Sequence, residues 1–187
     1  MTDPFNTETL TALTLALVPG GADSVDVDSL RFRPVRTGKH NRSYWVDAAA
    51  PNTTDAPNTT GAPAVVGAPT PDARHDRERF VLRIAPPDDV GFLFYERLMM
   101  RQEPEIHSLI RAETDILVAE VVGYDFSRSR IDRDYLLMRA LPGTPISEIY
   151  GMTQACHNRA LYQVGEHLRE LHALTATEHY GQRIYGY

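Results

Sequence analysis

The sequence predicts an α+β fold: a five-stranded antiparallel sheet with a flanking helix, followed by a hinge and the first helices of an incomplete helical region. Three observations carry that reading. Short alternating segments separated by turn residues fill the chain up to about residue 140, whereas helical spacing dominates beyond it. The change falls at Asp134-Tyr135-Leu136-Leu137-Met138-Arg139-Ala140-Leu141-Pro142-Gly143, an apolar run bounded by charge. Pro142 cannot donate to a ladder and Gly143 permits a turn, so this reads as a buried strand that stops at a hinge. Finally, helical segments fall between the third and fourth strand candidates, which lays a helix against the sheet.

Each element follows from its pattern. Thr7 to Val18 carries Leu10, Leu13, Leu15, Leu17 and Val18 on a broad apolar face and ends before Pro19-Gly20-Gly21, which predicts a helix capping the sheet. Leu30 to Arg36 alternates with period two, a strand at an edge position because of Pro34. Gly38-Lys39-His40-Asn41 makes the turn, and Ser43 to Asp47 is the returning strand. From Ala48 to about Glu78 the chain is mostly Ala, Pro, Thr, Asn and Asp, with Pro-Asn-Thr-Thr at Pro51 and again at Pro57. Such a tract has too little bulky apolar surface to offset ordering entropy, so residues 48–78 are expected to be a disordered insertion.

Arg79 to Ile84 is the third strand, with Phe80, Leu82 and Ile84 facing one way and Val81 and Arg83 the other. Phe92 to Met100 reads as helix. A second helix spans Glu103 to Ala112, with Pro104 tolerated in its first turn and Ile106, Leu109 and Ile110 on its buried side. Glu120 to Phe126 and Arg133 to Met138 are strands joined by the polar turn Ser127 to Asp132. Beyond the hinge, Ile146 to Met152 predicts a short helix and Thr153 to Leu174 a long one. Leu161, Val164, Leu168 and Leu171 give the long helix an apolar stripe that needs a partner. The chain thus divides into residues 1–140 and 141–187.

Composition narrows the function. A 42% hydrophobic content over 187 residues suffices for a core, and a net charge of -6 with pI near 5.6 provides no basic footprint for nucleic acid. Eighteen of the 19 basic residues are arginine, Lys39 being the exception, which we read as genomic composition bias. The single Cys156 excludes an internal disulfide and a cysteine metal cluster. No leader pattern is present and no apolar stretch approaches the roughly 18 residues of a membrane span, so no membrane partner and a cytoplasmic location are expected.

Five short motifs occur in one order: Gly38-Lys39-His40-Asn41-Arg42-Ser43-Tyr44-Trp45-Val46, Val81-Leu82-Arg83-Ile84, Met100-Arg101-Gln102-Glu103, Tyr135 to Gly143, and Gly165-Glu166-His167-Leu168-Arg169-Glu170-Leu171-His172. Together they resemble the N-terminal lobe of the aminoglycoside phosphotransferase and choline kinase-like family, which shares the protein-kinase architecture. The resemblance implies ATP and Mg2+ as cofactors and transfer of the γ-phosphate to a small-molecule hydroxyl. Phosphoryl transfer needs a loop whose N–H groups approach the phosphates, a cation on the neighbouring strand and a carboxylate that holds it. Gly38 and Asn41, Arg83 and Glu103 would fill those roles, Arg83 standing where the family uses lysine. Met138 would sit at the back of the adenine pocket, with the backbone of Arg139, Ala140 and Leu141 offering hinge hydrogen bonds. Plainer roles exist for each: a hairpin turn, a solvated strand residue, a carboxylate favoured at a helix N-terminus, and sheet core. Glu96 and Glu105 compete with Glu103 for Arg83, and His172 is expected to be a packed residue.

One part of the family pattern has no counterpart. A His-x-Asp loop with a following asparagine, and a separate metal-binding aspartate, are not found; after Met138 the acidic residues are Glu148, Glu166, Glu170 and Glu178. His75-Asp76 lies in the Ala/Pro tract with the wrong spacing. No catalytic residue or metal ligand is assigned, and the chain reads as a truncated product or one part of a split protein, inactive alone. A small-molecule acceptor would enter only with a second lobe supplied. Two other readings compete: a non-catalytic module that docks a partner or self-associates through the 153–174 stripe, and an unrelated small sheet domain.

Overall fold

In the computed structural model, which describes residues 4–35, 41–50, 77–88 and 98–174, five strands form one antiparallel sheet. They are β1 (Arg31–Pro34), β2 (Arg42–Ala49), β3 (Arg77–Ile84), β4 (Val121–Asp125) and β5 (Tyr135–Arg139), in the order β1-β2-β3-β5-β4. Helix α1 (Thr7–Leu17) precedes the sheet, α2 (Glu103–Glu113) lies between β3 and β4, and α3 (Gln154–Ala173) follows. The α+β class and the sheet read from the sequence are borne out, as is β1 at an edge.

Helix α1 starts because Asn6 caps it, its Oδ1 accepting the Thr9 N–H at 2.8 Å, a bond typically worth about 1 kcal/mol. Leu10, Leu13 and Leu17 bury its apolar face, and the helix ends where Val18 turns extended and Gly20 adopts a left-handed φ of 83°. The docking is close. A Cβ on Gly123 would stand 2.5 Å from the Leu17 carbonyl oxygen, so only glycine lets β4 pass under α1, beside the bulge between Val121 and Gly123.

Alternation sorts the strands onto two faces. Tyr44, Val46, Phe80, Leu82, Ile84, Tyr135 and Leu137 pack with α1. Leu136 and Met138 face the other way and pack with Met100, Val81 and Ala85. Interior strand β5 is covered on both faces, which is why it reads as an uninterrupted apolar run. Arg83 lies on the second face, as the alternation of β3 predicts, with Ser43 and Leu136 as its register neighbours.

The structure moves several boundaries. Ala48 and Ala49 pair with Glu78 and Arg77, so β2 and β3 extend into the tract expected to be disordered; burial of Ala48 under α1 overrides alanine's weak strand preference. Residues 51–76 lie outside the described residues. Of the expected helix Phe92 to Met100, residues 92–97 are also outside them. Leu98 has a left-handed φ of 60° and Met99–Gln102 form a 3-10 turn, because Met100 must drop into the core immediately before α2 begins. Ile106, Leu109 and Ile110 of α2 are only half-buried. Arg139 belongs to β5 and not to the hinge. The short helix at 146–152 is a single 3-10 turn, Ile146–Glu148, ended by extended Ile149 and by Gly151 at φ 72°. Thr153 caps α3, its Oγ1 accepting the Cys156 N–H at 3.3 Å.

Candidate functional site

Arg83 on β3 meets Glu103, the first residue of α2: its Nη1 donates to Glu103 Oε2. The side chains are 25% and 19% exposed, so the pair stands in a partly closed cleft. Burial pushes the Glu103 carboxyl above its ordinary 4.5, against the opposing charges of Arg83 and His107 and the Arg83 hydrogen bond. Glu103 is thus the carboxylate that holds Arg83. Glu105, two residues further along the helix, is exposed, and Glu96 lies outside the described residues.

A second ionic cluster adjoins this pair. Asp134, at the entry to β5, is 2% exposed and accepts from Arg101 Nε at 2.7 Å, Arg101 Nη2 at 3.0 Å and Arg128 Nε at 3.0 Å. Burial alone would raise its pKa, but these hydrogen bonds and charges outweigh it and hold the carboxyl below 3.8. Arg128 also donates to exposed Asp88, from Nη1 at 2.5 Å and Nη2 at 3.2 Å. Its left-handed φ of 59° costs on the order of 1–2 kcal/mol, which these bonds offset.

Both clusters wall a cavity of about 730 Å³, within the range of small-molecule sites. Its polar lining includes Asn41, Arg83, Glu103, Arg101, Arg128 and Asp134. The other predicted residues stand further along β5. Leu136 pairs with Arg83 and Met138 with Val81, so Met138 lies about 7 Å along the strand from the Arg83 row. Trp45 pairs with Val81 in turn, which gives a row Trp45, Val81, Met138 on the α2 side of the sheet. Met138 is buried with Met100 and Leu136. Leu141 is exposed.

The backbone expected to serve as hinge donors is largely committed. The Arg139 N–H donates to the Glu120 carbonyl and the Ala140 N–H to that of Arg79, both at 2.9 Å, because β5 continues one residue further than the sequence suggests. The Arg139 side chain sits over Phe80 on the α1 side and pairs with Glu78 and Glu120, each at 3.0 Å. Among the described residues Leu141 is the hinge position whose N–H is not bonded within the sheet. Gly38 lies outside the described residues. His172 is exposed on α3 and not packed as expected.

The donor set does not fit a divalent metal. Among the described residues no group of three His, Cys, Asp or Glu side chains converges, and the cavity carboxylates Glu103, Asp134 and Asp88 are each engaged by arginine. Guanidinium and amide donors suit phosphate oxygens instead. Sequence reasoning missed Asp134, Arg101 and Arg128. The available signal was a carboxylate directly ahead of four buried residues, since a carboxylate there needs cationic partners.

A sheet in this strand order, with an arginine gripped by the first carboxylate of the intervening helix at the wall of a cavity, is the lobe architecture that the sequence motifs resemble. The chain belongs to the phosphotransferase enzyme family, whose model matches residues 31–186. Among solved structures it is similar to a "putative aminoglycoside phosphotransferase" from Ralstonia eutropha JMP134, with 18% identity over 85% of this chain and a TM-score of 0.47. The chain spans about a third of that protein's length, the match covering 35% of it. Comparison with curated proteins gives no match.

Proposed function

We propose that these 187 residues form an ATP-binding lobe of a cytoplasmic phosphotransferase that acts on a small-molecule hydroxyl. The observation that carries this reading is Arg83, held by Glu103 at the wall of a 730 Å³ cavity, in a chain of this family. The triphosphate would lie toward Arg83 and Asn41, and the base would lie along Trp45, Val81 and Met138 with Leu141 at its edge. Arg83 binds and orients phosphate oxygens, Glu103 fixes its rotamer, and the apolar row excludes water from the base. Among the described residues we assign no group to move a proton from an acceptor hydroxyl; beyond Asp134 the acidic residues of the sequence are Glu148, Glu166, Glu170 and Glu178. Magnesium, if present, would arrive with the nucleotide.

Binding without turnover follows. The test uses purified chain, labelled ATP and magnesium with a panel of aminoglycosides, choline and small hydroxylated acceptors. Nucleotide retention with no phosphate transferred is expected. Turnover that survives purification and disappears in Arg83→Ala would overturn the reading.

A second reading rests on α3. Leu161, Val164 and Leu168 are 58%, 48% and 47% exposed along one stripe, an apolar face suited to a second copy or a partner helix. Concentration-dependent self-association without ATP stabilisation, abolished by Leu161→Glu with Leu168→Glu, would favour a docking module.

A further inference from the structure

We propose that Asp134 is a positioning residue for the phosphate end of this site: by clamping Arg101 it fixes the start of α2 and thereby sets Glu103 opposite Arg83. Its consequence for nucleotide affinity rests on the reading above, but the geometry does not.

The clamp stands at the junction of the elements that must be held in register. The Asp134 backbone carbonyl accepts the Ala85 N–H at 2.8 Å, which ties it to the end of β3 two residues beyond Arg83. Its side chain takes both Nε and Nη2 of Arg101, two residues ahead of Glu103. Arg101 Nη2 also donates to the Phe126 carbonyl at 3.1 Å, and its guanidinium lies 5.7 Å from the Phe126 ring. With Met100 buried beside Leu136 and Met138, the turn into α2 is hooked to the sheet on both its sides.

None of the residues of α2 is fully buried. Beyond its first turn the helix is tied to the segment before β4, His107 Nδ1 lying 2.8 Å from the Ala119 carbonyl oxygen and Arg111 Nη1 donating to the Val118 carbonyl at 3.3 Å, which leaves its start to the clamp. The Arg83–Glu103 pair stands at this helix start, where burial disfavours the Glu103 carboxylate against the charges of Arg83 and His107. The carboxylate of Asp134, by contrast, is stabilised where it stands. The two-point contact of Asp134 with Arg101, two residues ahead of Glu103, therefore anchors the helix start from which Glu103 reaches Arg83.

The test is a double-mutant cycle of Arg83→Met and Glu103→Gln, read by denaturant unfolding in three backgrounds: the unaltered chain, Asp134→Asn and Arg101→Met. The coupling between Arg83 and Glu103 should be present in the first and fall within error in the other two. Arg101 is 39% exposed, so Arg101→Met decides if Asp134→Asn does not fold. A second readout is the carbon-13 titration of the Glu103 carboxyl, which faces Arg83 on β3 and His107 on α2, with Arg101, Arg128, Asp88 and Asp134 around the same cavity. Loss of the Arg101 charge alone would raise the Glu103 midpoint, whereas release of α2 lowers it toward 4.5, so a downward shift in Arg101→Met is the positioning signature.

Nucleotide binding gives a third readout. Arg83→Met should weaken ATP about tenfold in the unaltered chain and less than about twofold in Arg101→Met. Coupling absent from the unaltered chain, or intact in Arg101→Met despite lowered stability, would overturn the proposal and leave Asp134 a purely structural carboxylate. Absence of ATP binding with the coupling behaving as expected would instead sink the nucleotide reading and support the clamp.

Discussion

Arg83 and Glu103 form an ion pair in which burial raises the Glu103 pKa even with the guanidinium in contact. The two single substitutions should therefore be unequal. Arg83→Met strands a half-desolvated carboxylate and should cost on the order of 2–3 kcal/mol, below the cost of breaking a fully buried pair. Glu103→Gln keeps the shape, removes the buried charge and should cost under about 1 kcal/mol. Denaturant midpoints at neutral pH check the ranking, and equal costs would place the pair in open solvent.

The ionic clusters should respond to acid in opposite directions. Asp134 is held below 3.8, so its contribution is fully present above that value and is lost as pH falls through its folded pKa. Glu103 is held above 4.5, so its contribution to stability declines as pH rises from 4.5 through its folded pKa. Asp134→Asn should accordingly cost about 3 kcal/mol at pH 7 and progressively less below pH 3.8, while Glu103→Gln should flatten the decline above pH 4.5. Unfolding free energies from pH 2 to 7 read both slopes.

Gly123 is set by contact and not by turn geometry. A methyl group 2.5 Å from the Leu17 carbonyl oxygen must push α1 away from β4, so Gly123→Ala should destabilise by about 1–3 kcal/mol, despite alanine's lower chain entropy in the unfolded state. A neutral or stabilising result would mean that α1 is not docked here.

The hairpin ends of β2 and β3 are adjacent, Ala49 pairing with Arg77. A four-residue Gly-Ser turn can therefore replace residues 51–76, and since loop closure changes by only about 0.6 kcal/mol per doubling of length, the melting temperature should rise slightly or stay put. A loss of several degrees would show that the tract contributes packing.

What was legible in the sequence follows period and burial. Alternation in β3 placed Arg83 on the face opposite Phe80, Leu82 and Ile84, and the run Tyr135 to Met138 announced a buried strand, because those patterns are direct traces of which side chains leave water. The Glu103 pairing needed more than pattern. Three glutamates were in reach along the sequence, and only the 3-10 turn at Met99–Gln102 settles which begins the helix beside β3. The Asp134 clamp was illegible for a related reason: its partners are 33 and 6 residues away, one before α2 and one in a turn, and no local periodicity links them. Arg101 was read only as part of the motif that opens α2, and in an arginine-rich chain nothing singled out Arg128. Arg139 was misplaced because a charged residue after an apolar run looks like a strand end, whereas pairing with Phe80 and the Glu120 carbonyl carries the ladder through it.

The most direct measurement is a calorimetric titration of the 187-residue chain with ATP, with and without magnesium, beside Arg83→Met. The account predicts one weak nucleotide site per chain, weakened about tenfold by Arg83→Met, since a charge-assisted contact to phosphate is worth about 1.5–3 kcal/mol. An unaltered affinity in Arg83→Met, or no heat and no thermal stabilisation at millimolar ATP, would contradict it.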